Sequence, residues 1–312
     1  MSDLAWLPDR DDVEVAAARL DGQIRRTPVL RVDGEELGVA GNVVLKLELT
    51  QHTGSFKARG ALNSVLSLPD GVRGVTAASG GNHGAALAWA ARRSGLAADI
   101  FVSAASPPEK IDRIRGFGAT AHVIDGYYPE AFAAADTWAR DRDVTAVHAY
   151  DQHSTVCGQG TVGLEVATQV PGATRVLVAC GGGGLYAGVA TALAGRVPVT
   201  PVEPERCASL QAALAAGERV PVDVGGVAAD ALGAATIGAH AFAVATELDA
   251  EPVIVSDDDI LVARRWLWER CRVLAEPGAA APVAALLTGA VAVPAGETAV
   301  AVISGGNNPT IP

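Results

Sequence analysis

The chain has 312 residues, a formal net charge of −11 at pH 7 and a sequence pI near 5.0. This acidic balance argues against a basic footprint for nucleic acid or for an anionic membrane surface. A hydrophobic fraction of 49% excludes a disordered chain, and the length exceeds what one hydrophobic core usually serves, so two lobes are expected.

Strand-like and helical segments alternate along the chain. A β-branched run at 42–49 (NVVLKLEL) is followed by a helix that starts near Lys57. The next predicted strands are 75–78, 98–102, 120–124 and 145–149, separated by helices at 81–94, 107–118 and 129–140. A second series follows, with helices at 159–169 and from 185 and strands at 175–179, 197–203, 252–255 and 298–304.

This alternation predicts an α/β fold of two lobes, each a mostly parallel twisted sheet flanked by helices. The chain is expected to leave one lobe, build the other and return. Residues 1–72 and 149–312 would then form the large domain, and residues 73–148 the small domain.

Several helix ends carry recognisable signals. Arg92 and Arg93 precede Gly95, as basic residues do in a last turn. Ser106 before Pro107 has the pattern of an N-cap before a first-turn proline. Ser256, with an acid three residues later, marks the start of the helix that contains Trp266 and Trp268.

One uncharged run, residues 278–296, is long enough to be weighed as a membrane span. Pro282, Gly289 and Pro294 interrupt it, and alanine, which contributes little transfer free energy, makes up much of the rest. A buried helix of a soluble protein is therefore the prediction.

The cysteines and the first residues indicate a cytoplasmic protein. Cys157, Cys180, Cys207 and Cys271 are scattered, with no CxxC pair, so neither a disulfide framework nor a structural zinc site is expected. The opening MSDLAWLPDRDDVE has acids where a signal peptide needs a basic segment, so secretion is not expected.

Three glycine-rich turns each follow a predicted strand: residues 77–87 (AASGGNHGAAL), 178–188 (VACGGGGLYAG) and 302–309 (VISGGNNP). Each could be only a tight turn, but ligands of open α/β sheets bind at the carboxyl ends of strands. In the run of Gly181, Gly182, Gly183 and Gly184, several N–H groups can converge on an anion at a helix start. A phosphate is the natural ligand of such a turn.

Two classes of phosphate-containing ligand fit the glycine run, a dinucleotide and pyridoxal phosphate. The pattern Gly182, Gly184 and Ala187, with Glu203 about twenty residues on, also fits a dinucleotide, so an NAD-binding oxidoreductase is an alternative from another class. Pyridoxal phosphate accounts in addition for Lys57, one of only three lysines, whose neutral amine could bind the cofactor aldehyde. Phe56 could pack on the cofactor ring or belong to the core.

In order along the chain, GSFKARGA, SGGNHG, GQGT, GGGGL and SGGN resemble the fold-type II pyridoxal-phosphate enzymes, specifically the serine/threonine dehydratase and serine racemase family. The resemblance implies a tryptophan synthase β-like fold with the cofactor in the cleft between the lobes. It implies that Lys57 is the Schiff-base lysine and the base for the α-proton, and that Gly181 to Gly184 hold the phosphate.

The same resemblance implies further roles at the ring and the substrate. Asn82 would contact the ring hydroxyl and Ser304 the pyridine nitrogen. Ser79, Gly80, Asn82 and His83 form the loop that would receive the substrate carboxylate. Tyr127 and Tyr128, before a small-lobe helix, could line the substrate cleft.

The implied reaction is elimination of water from L-serine, L-threonine or a similar β-hydroxy amino acid, which gives a 2-keto acid and ammonia. A hydroxyl at Ser304 leaves the pyridine nitrogen largely neutral and favours elimination over transamination. An amino-acid racemase and a 3-hydroxyaspartate dehydratase of the same fold are the alternatives. A homodimer is expected from the family, since dimers are the commonest closed assembly.

Two positions depart from the family pattern. Gly80 stands where the racemase branch has an acid–base serine, so elimination is expected to dominate over racemisation. Glu203 is a single candidate for a cation ligand, but Ser209 stands where metal-binding members have a second acid. No metal site is therefore predicted, a divalent ion is not expected, and a monovalent ion is left open.

Overall fold

The computed structural model describes residues 7–308 and 310–312. The opening residues used above against a signal peptide, and Pro309 of the third glycine-rich turn, lie partly or wholly outside this range. In the part of the chain that the structure describes, the strands form two separate sheets.

The larger sheet has six strands in the order β1-β2-β10-β7-β8-β9. Strand β1 is antiparallel to β2, and all other neighbours are parallel. The strands are β1 (Val29–Val32), β2 (Asn42–Lys46), β7 (Arg175–Ala179), β8 (Val199–Pro204), β9 (Val253–Val255) and β10 (Thr298–Val302). The three central strands are almost entirely buried, as expected for a sheet covered on both faces.

The smaller sheet has four parallel strands in the order β5-β4-β3-β6. They are β3 (Gly74–Ala78), β4 (Ala97–Ser103), β5 (Thr120–Ile124) and β6 (Thr145–Ala146). The predicted α/β fold with two mostly parallel sheets is confirmed. The last strand of the small sheet is shorter than its predicted five residues. The domain boundaries themselves stay a prediction.

Twelve α-helices connect and cover the strands of the described residues. They are α1 (Arg10–Leu20), α2 (Lys57–Leu66), α3 (Asn82–Arg93), α4 (Pro108–Gly116), α5 (Tyr128–Arg142), α6 (His153–Gln169), α7 (Gly184–Leu193), α8 (Ser209–Ala216), α9 (Ala229–Leu232), α10 (Ala239–Glu247), α11 (Asp257–Cys271) and α12 (Pro277–Leu287). Helix α12, which covers the first part of the uncharged run, is buried against the large sheet. Within the described residues, no helix has the length and hydropathy that a bilayer crossing requires.

Two of the three predicted helix-end signals are confirmed, and one is wrong. Ser256 caps α11 with a complete capping box, and Arg92 and Arg93 lie in the last turn of α3, as predicted. The predicted N-cap at Ser106 is wrong, because the cap position of α4 is Pro107 and no side chain caps the helix. Ser106 lies one residue before this cap, and its hydroxyl faces Gly80.

Glycines let the lysine-bearing helix pack closely against its neighbour. A side chain at Gly158 of α6 would come within 2.6 Å of the Gly60 Cα in α2. The GQGT motif at 158–161 therefore lies inside α6, where it allows two helix backbones to approach. This contact positions α2, and Lys57 is the first residue of that helix.

A buried network of ion pairs also holds α2. Arg59 donates from Nε to the Glu48 carboxylate at 2.8 Å and from Nη1 to Glu165 of α6 at 2.7 Å. Lys46 of β2 pairs with the same Glu165 carboxylate, and the Lys46, Glu48 and Arg59 side chains are fully buried. The four formal charges balance, as burial in a region of low dielectric requires.

Replacing Glu48 with glutamine should destabilise the protein by about 3–5 kcal/mol, because Arg59 would then be buried without its main partner. Urea unfolding measures this change. The control is Glu14→Gln, which removes an exposed pair with Arg10 and should change stability by less than about 1 kcal/mol. Equal effects of the two substitutions would contradict the assigned role of the buried network.

Candidate active site

The residues predicted from the sequence lie at the carboxyl ends of neighbouring strands. Strands β2, β10 and β7 are adjacent in the large sheet. They lead into the Lys57 turn, the loop at Ser304 and the glycine run at 181–184, respectively. The loop at 79–82 follows β3 of the small sheet. Parallel strands bring these ends together at one edge of each sheet.

Short backbone contacts join the Lys57 turn to the last loop of the chain. Ser55 and Gly305 form an antiparallel bridge. The Phe56 N–H donates to the Ser304 carbonyl at 3.0 Å, and the Gly306 N–H donates to the Gly54 carbonyl at 3.0 Å. These bonds place Lys57 and Ser304 beside each other, although they lie far apart in the sequence.

Lys57 is half-buried, and its Nζ donates to the Ala149 carbonyl at 2.7 Å. Its Nζ also lies 4.9 Å from the centre of the Phe56 ring. Burial lowers the pKa of this amine to about 8, while the negative charge of Glu276 opposes the shift. The lowered pKa brings loss of the proton closer to physiological pH, as a nucleophilic lysine requires.

Two neutral histidines stand near this amine. His83 Nε2 lies 2.9 Å from the Val147 carbonyl, so this nitrogen carries the proton and Nδ1 is an acceptor. Burial and the Lys57 charge lower the pKa of His83 to about 3. His148 Nδ1 accepts from the Asp151 N–H at 2.9 Å, and burial lowers the pKa of that imidazole too.

The glycine run forms the predicted turn between β7 and α7. Gly183 has a φ of 82°, in the left-handed region that favours glycine. The backbone N–H groups of residues 182 to 185 have no acceptor among the described residues. They lie at the positive end of α7, so the turn has the character of a phosphate site.

Tyr150 is a site residue that the sequence did not reveal. Its ring packs directly over Gly182, and its backbone packs against Gly184, so neither glycine can carry a side chain. Burial raises the pKa of Tyr150 to about 12, with a further contribution from the nearby Tyr128 hydroxyl. Tyr128 thus lies near Tyr150, with 51% of its surface exposed, whereas Tyr127 is 74% exposed.

Glu276 is a second residue that sequence reasoning missed. Only 6% of it is exposed, and burial raises the pKa of its carboxyl. It accepts from Asn82 Nδ2 at 2.8 Å and from the Asn307 N–H at 3.2 Å. The only sequence signal was an acid directly before Pro277 at the start of α12, which is typical of an ordinary helix cap.

The remaining predicted residues are placed as follows. Asn82 and His83 begin α3, and Ser79 Oγ accepts from the Gly81 N–H at 3.3 Å. Ser304 is buried directly beyond β10, and Phe56 packs on a core cluster beside Lys57. Ser79, Asn82 and His83 thus lie in the segment that follows β3, and Ser304 lies in the loop that follows β10.

Glu203 of β8 is engaged by backbone donors. Its carboxylate accepts the N–H groups of Leu210 and Gln211, both at 2.8 Å, at the start of α8. Burial raises the pKa of Glu203 to about 7. Ser209 donates to the Gly181 carbonyl at 3.2 Å. Among the described residues, no group of three or more His, Cys, Asp or Glu side chains is arranged to hold a metal ion.

Comparison with known proteins places this geometry in a family. Residues 20–305 match the family described as pyridoxal-phosphate dependent enzyme. The chain belongs to this family. An L-threonine ammonia-lyase of Geobacter sulfurreducens is 36% identical over 302 residues, which cover 95% of this chain and 74% of that protein.

Solved structures of the family superpose closely on the chain. A threonine deaminase of T.th. gives a TM-score of 0.91 at 31% identity, covering 98% of this chain and all of that one. Maize serine racemase gives a TM-score of 0.90 at 28% identity, covering 97% and 94%. The family decides against the dinucleotide alternative, and Glu203, its expected ribose ligand, is buried and already hydrogen-bonded.

The residues present fit the family cofactor. The unpartnered N–H groups at 182–185 suit a phosphate, and a lysine with a lowered pKa suits an aldehyde. The side-chain amide of Asn82 donates one N–H to Glu276, so its second N–H is available to donate to the cofactor. Ser304 lies next to the Lys57 turn, within the same loop cluster.

We expect the Lys57 amine of cofactor-free protein to titrate near pH 8, as a cation below this pH and a neutral amine above it. NMR of protein labelled with ¹³C at the lysine Cε positions measures this, since the chain has only three lysines. The signal is assigned by its loss in Lys57→Arg. Titration near the ordinary value of 10.5 would contradict the deduced environment.

Proposed function

We propose that the chain is a pyridoxal-phosphate-dependent ammonia-lyase that eliminates water from L-threonine or L-serine to give a 2-keto acid and ammonia. The observation that carries the proposal is one lysine with a lowered pKa, positioned among loops whose N–H groups lack acceptors. The names of the relatives support the substrate class, since they include a threonine ammonia-lyase and a threonine deaminase.

We assign the cofactor-binding roles to residues of the Lys57 turn, the glycine run, the Ser304 loop and the start of α3. Lys57 would hold the cofactor covalently, as the Schiff-base lysine of the family does. The N–H groups of 182–185 would bind its phosphate, and Ser304 and Asn82 would contact the pyridine nitrogen and the ring hydroxyl. When bound, pyridoxal phosphate withdraws electrons from the α-carbon of an attached amino acid.

The protein's own part in the reaction is proton transfer and positioning. The Lys57 amine, once free, would take the α-proton, a role typically worth two to four orders of magnitude in rate. Burial and the Lys57 charge keep His83 neutral, so it adds no charge that would disfavour the ammonium form of Lys57. The Ser304 hydroxyl, unlike a carboxylate, would not keep the pyridine nitrogen charged.

The substrate carboxylate would bind at the start of α3. The N–H groups of Gly80, Asn82, His83 and Gly84 have no acceptor among the described residues, and the Gly81 N–H is taken by Ser79. The positive end of a twelve-residue helix adds to the attraction for an anion. Gly80 has no proton to give, which favours elimination over the racemase alternative.

The finer properties are also proposals. A cytoplasmic location is supported by four cysteines that are all free thiols. A homodimer is supported by the general preference of soluble enzymes for two-fold assembly. The sheet membership of the strands supports a small domain near residues 73–148. A monovalent cation, if used, would need ligands other than the engaged Glu203 carboxylate.

Replacing Lys57 with alanine should abolish the visible absorbance of the bound cofactor and reduce kcat/KM for L-threonine by about 10²–10⁴-fold or more. Spectra of the purified protein and an assay of ammonia release measure the two effects. The reason is that no other lysine lies at the site: Lys46 is held in the buried ion network and Lys110 pairs with Asp230.

The matched control is Lys110→Arg, which keeps its positive charge toward Asp230 and should retain both absorbance and turnover. A panel of serine, threonine and 3-hydroxyaspartate then separates the substrate alternatives, and chiral analysis separates elimination from racemisation. Survival of colour and turnover in Lys57→Ala would refute the proposed function.

A further inference from the structure

Gly80 leaves a space that another residue fills. A Cβ atom built on Gly80 would lie 2.5 Å from Ser106 Oγ and 3.1 Å from Ser106 Cβ. The next nearest atom is Val102 Cβ, at 3.9 Å. The Ser106 side chain therefore occupies the place that a side chain at position 80 would take.

The Ser106 hydroxyl has no hydrogen-bond partner among the described residues. It does not cap α4, whose cap position is Pro107. It makes no hydrogen bond to any residue between 7 and 308 or in 310–312, while Ser106 itself is half-buried. A hydroxyl can donate one hydrogen bond and accept two, so this group is available to a ligand.

The loop beside it has unsatisfied groups of both kinds. The N–H groups of Gly80, Asn82 and His83 lack acceptors among the described residues. His83 is only 3% exposed, and its Nδ1, an acceptor, has no partner. Unpaired donors are the complement of a carboxylate, and an unpaired buried acceptor beside them indicates that a ligand completes the loop.

We propose that Ser106 is a substrate-binding residue, whose hydroxyl donates a hydrogen bond to the α-carboxylate of the substrate at this loop. Glycine at position 80 is the condition for this contact, because any larger residue would displace the hydroxyl. The inference rests on the proposed function and adds to it a residue from outside the glycine-rich loop.

Helix α4 holds Ser106 in position from the other side. Lys110 pairs with Asp230 of α9, and Arg113 donates to the Thr53 carbonyl in the turn before Lys57. Both partners belong to the part of the chain that surrounds the large sheet, whereas α4 belongs to the small sheet. The two contacts fix the start of α4, and with it Ser106, against the substrate loop.

The test is Ser106→Ala in the cofactor-loaded enzyme. KM for L-threonine should rise about tenfold or more, the effect of losing one hydrogen bond to a charged group. The value of kcat should stay within about twofold, because the bond is made equally in the bound substrate and the transition state. The visible absorbance of the cofactor should not change.

A binding measurement without turnover separates carboxylate recognition from other effects. Glycine carries the carboxylate but no group to eliminate, and its Kd can be followed by the change in visible absorbance. That Kd should rise by the same factor as KM. Ethanolamine has no carboxylate, so its Kd should be equal in the wild type and in Ser106→Ala.

Two further variants sharpen the test. Gly80→Ala should raise KM much as Ser106→Ala does, because the new methyl group displaces the hydroxyl. The double variant should cost little more than either single one, since both remove the same contact. The control is Ser94→Ala, an exposed serine at the far end of α3, which should leave KM unchanged.

The outcomes also distinguish this inference from the proposed function. Wild-type protein that releases no ammonia from any hydroxy amino acid would refute the function and the inference together. An active wild type overturns only the inference if Ser106→Ala keeps its KM, if kcat alone falls, or if the cofactor absorbance is lost. Additive effects of the Gly80 and Ser106 variants would also overturn it.

Discussion

The backbone link between residues 54–56 and 304–306 is the contact on which the site depends. Strand β10, although last in the chain, inserts between β2 and β7 at the centre of the large sheet. Its exit loop therefore lies between the Lys57 turn and the glycine run. Because the bridge from Ser55 to Gly305 fixes this loop against the turn, a lysine, a phosphate-type turn and Ser304 meet at one edge.

The cationic groups near Lys57 are either paired with carboxylates or neutral. Arg59, two residues along the same helix, has its charge balanced by Glu48 and Glu165. His83 donates its Nε2 proton to a carbonyl and stays neutral. Burial can then lower the pKa of Lys57, while Glu276 limits the shift. The amine therefore loses its proton closer to neutral pH than an exposed lysine does.

The sequence predicted those parts of the fold whose signals are local. The alternation of β-branched and alanine-rich runs predicted two parallel sheets, and the strands 120–124 and 175–179 have the predicted bounds. Lys57 was found because it is one of only three lysines and begins a helix, and the glycine turns were found because three of them follow predicted strands.

What the sequence could not predict depends on contacts between distant segments. Glu276 reads as a helix cap, yet its carboxylate turns to Asn82 and Asn307, which come from other loops. Tyr150 has no motif, and its position over Gly182 follows from how the chain returns from the small sheet. Ser106 reads as a cap because Pro107 follows it, and only the missing side chain of Gly80 reveals another use. In each case a local pattern had two interpretations, and a partner remote in sequence decided between them.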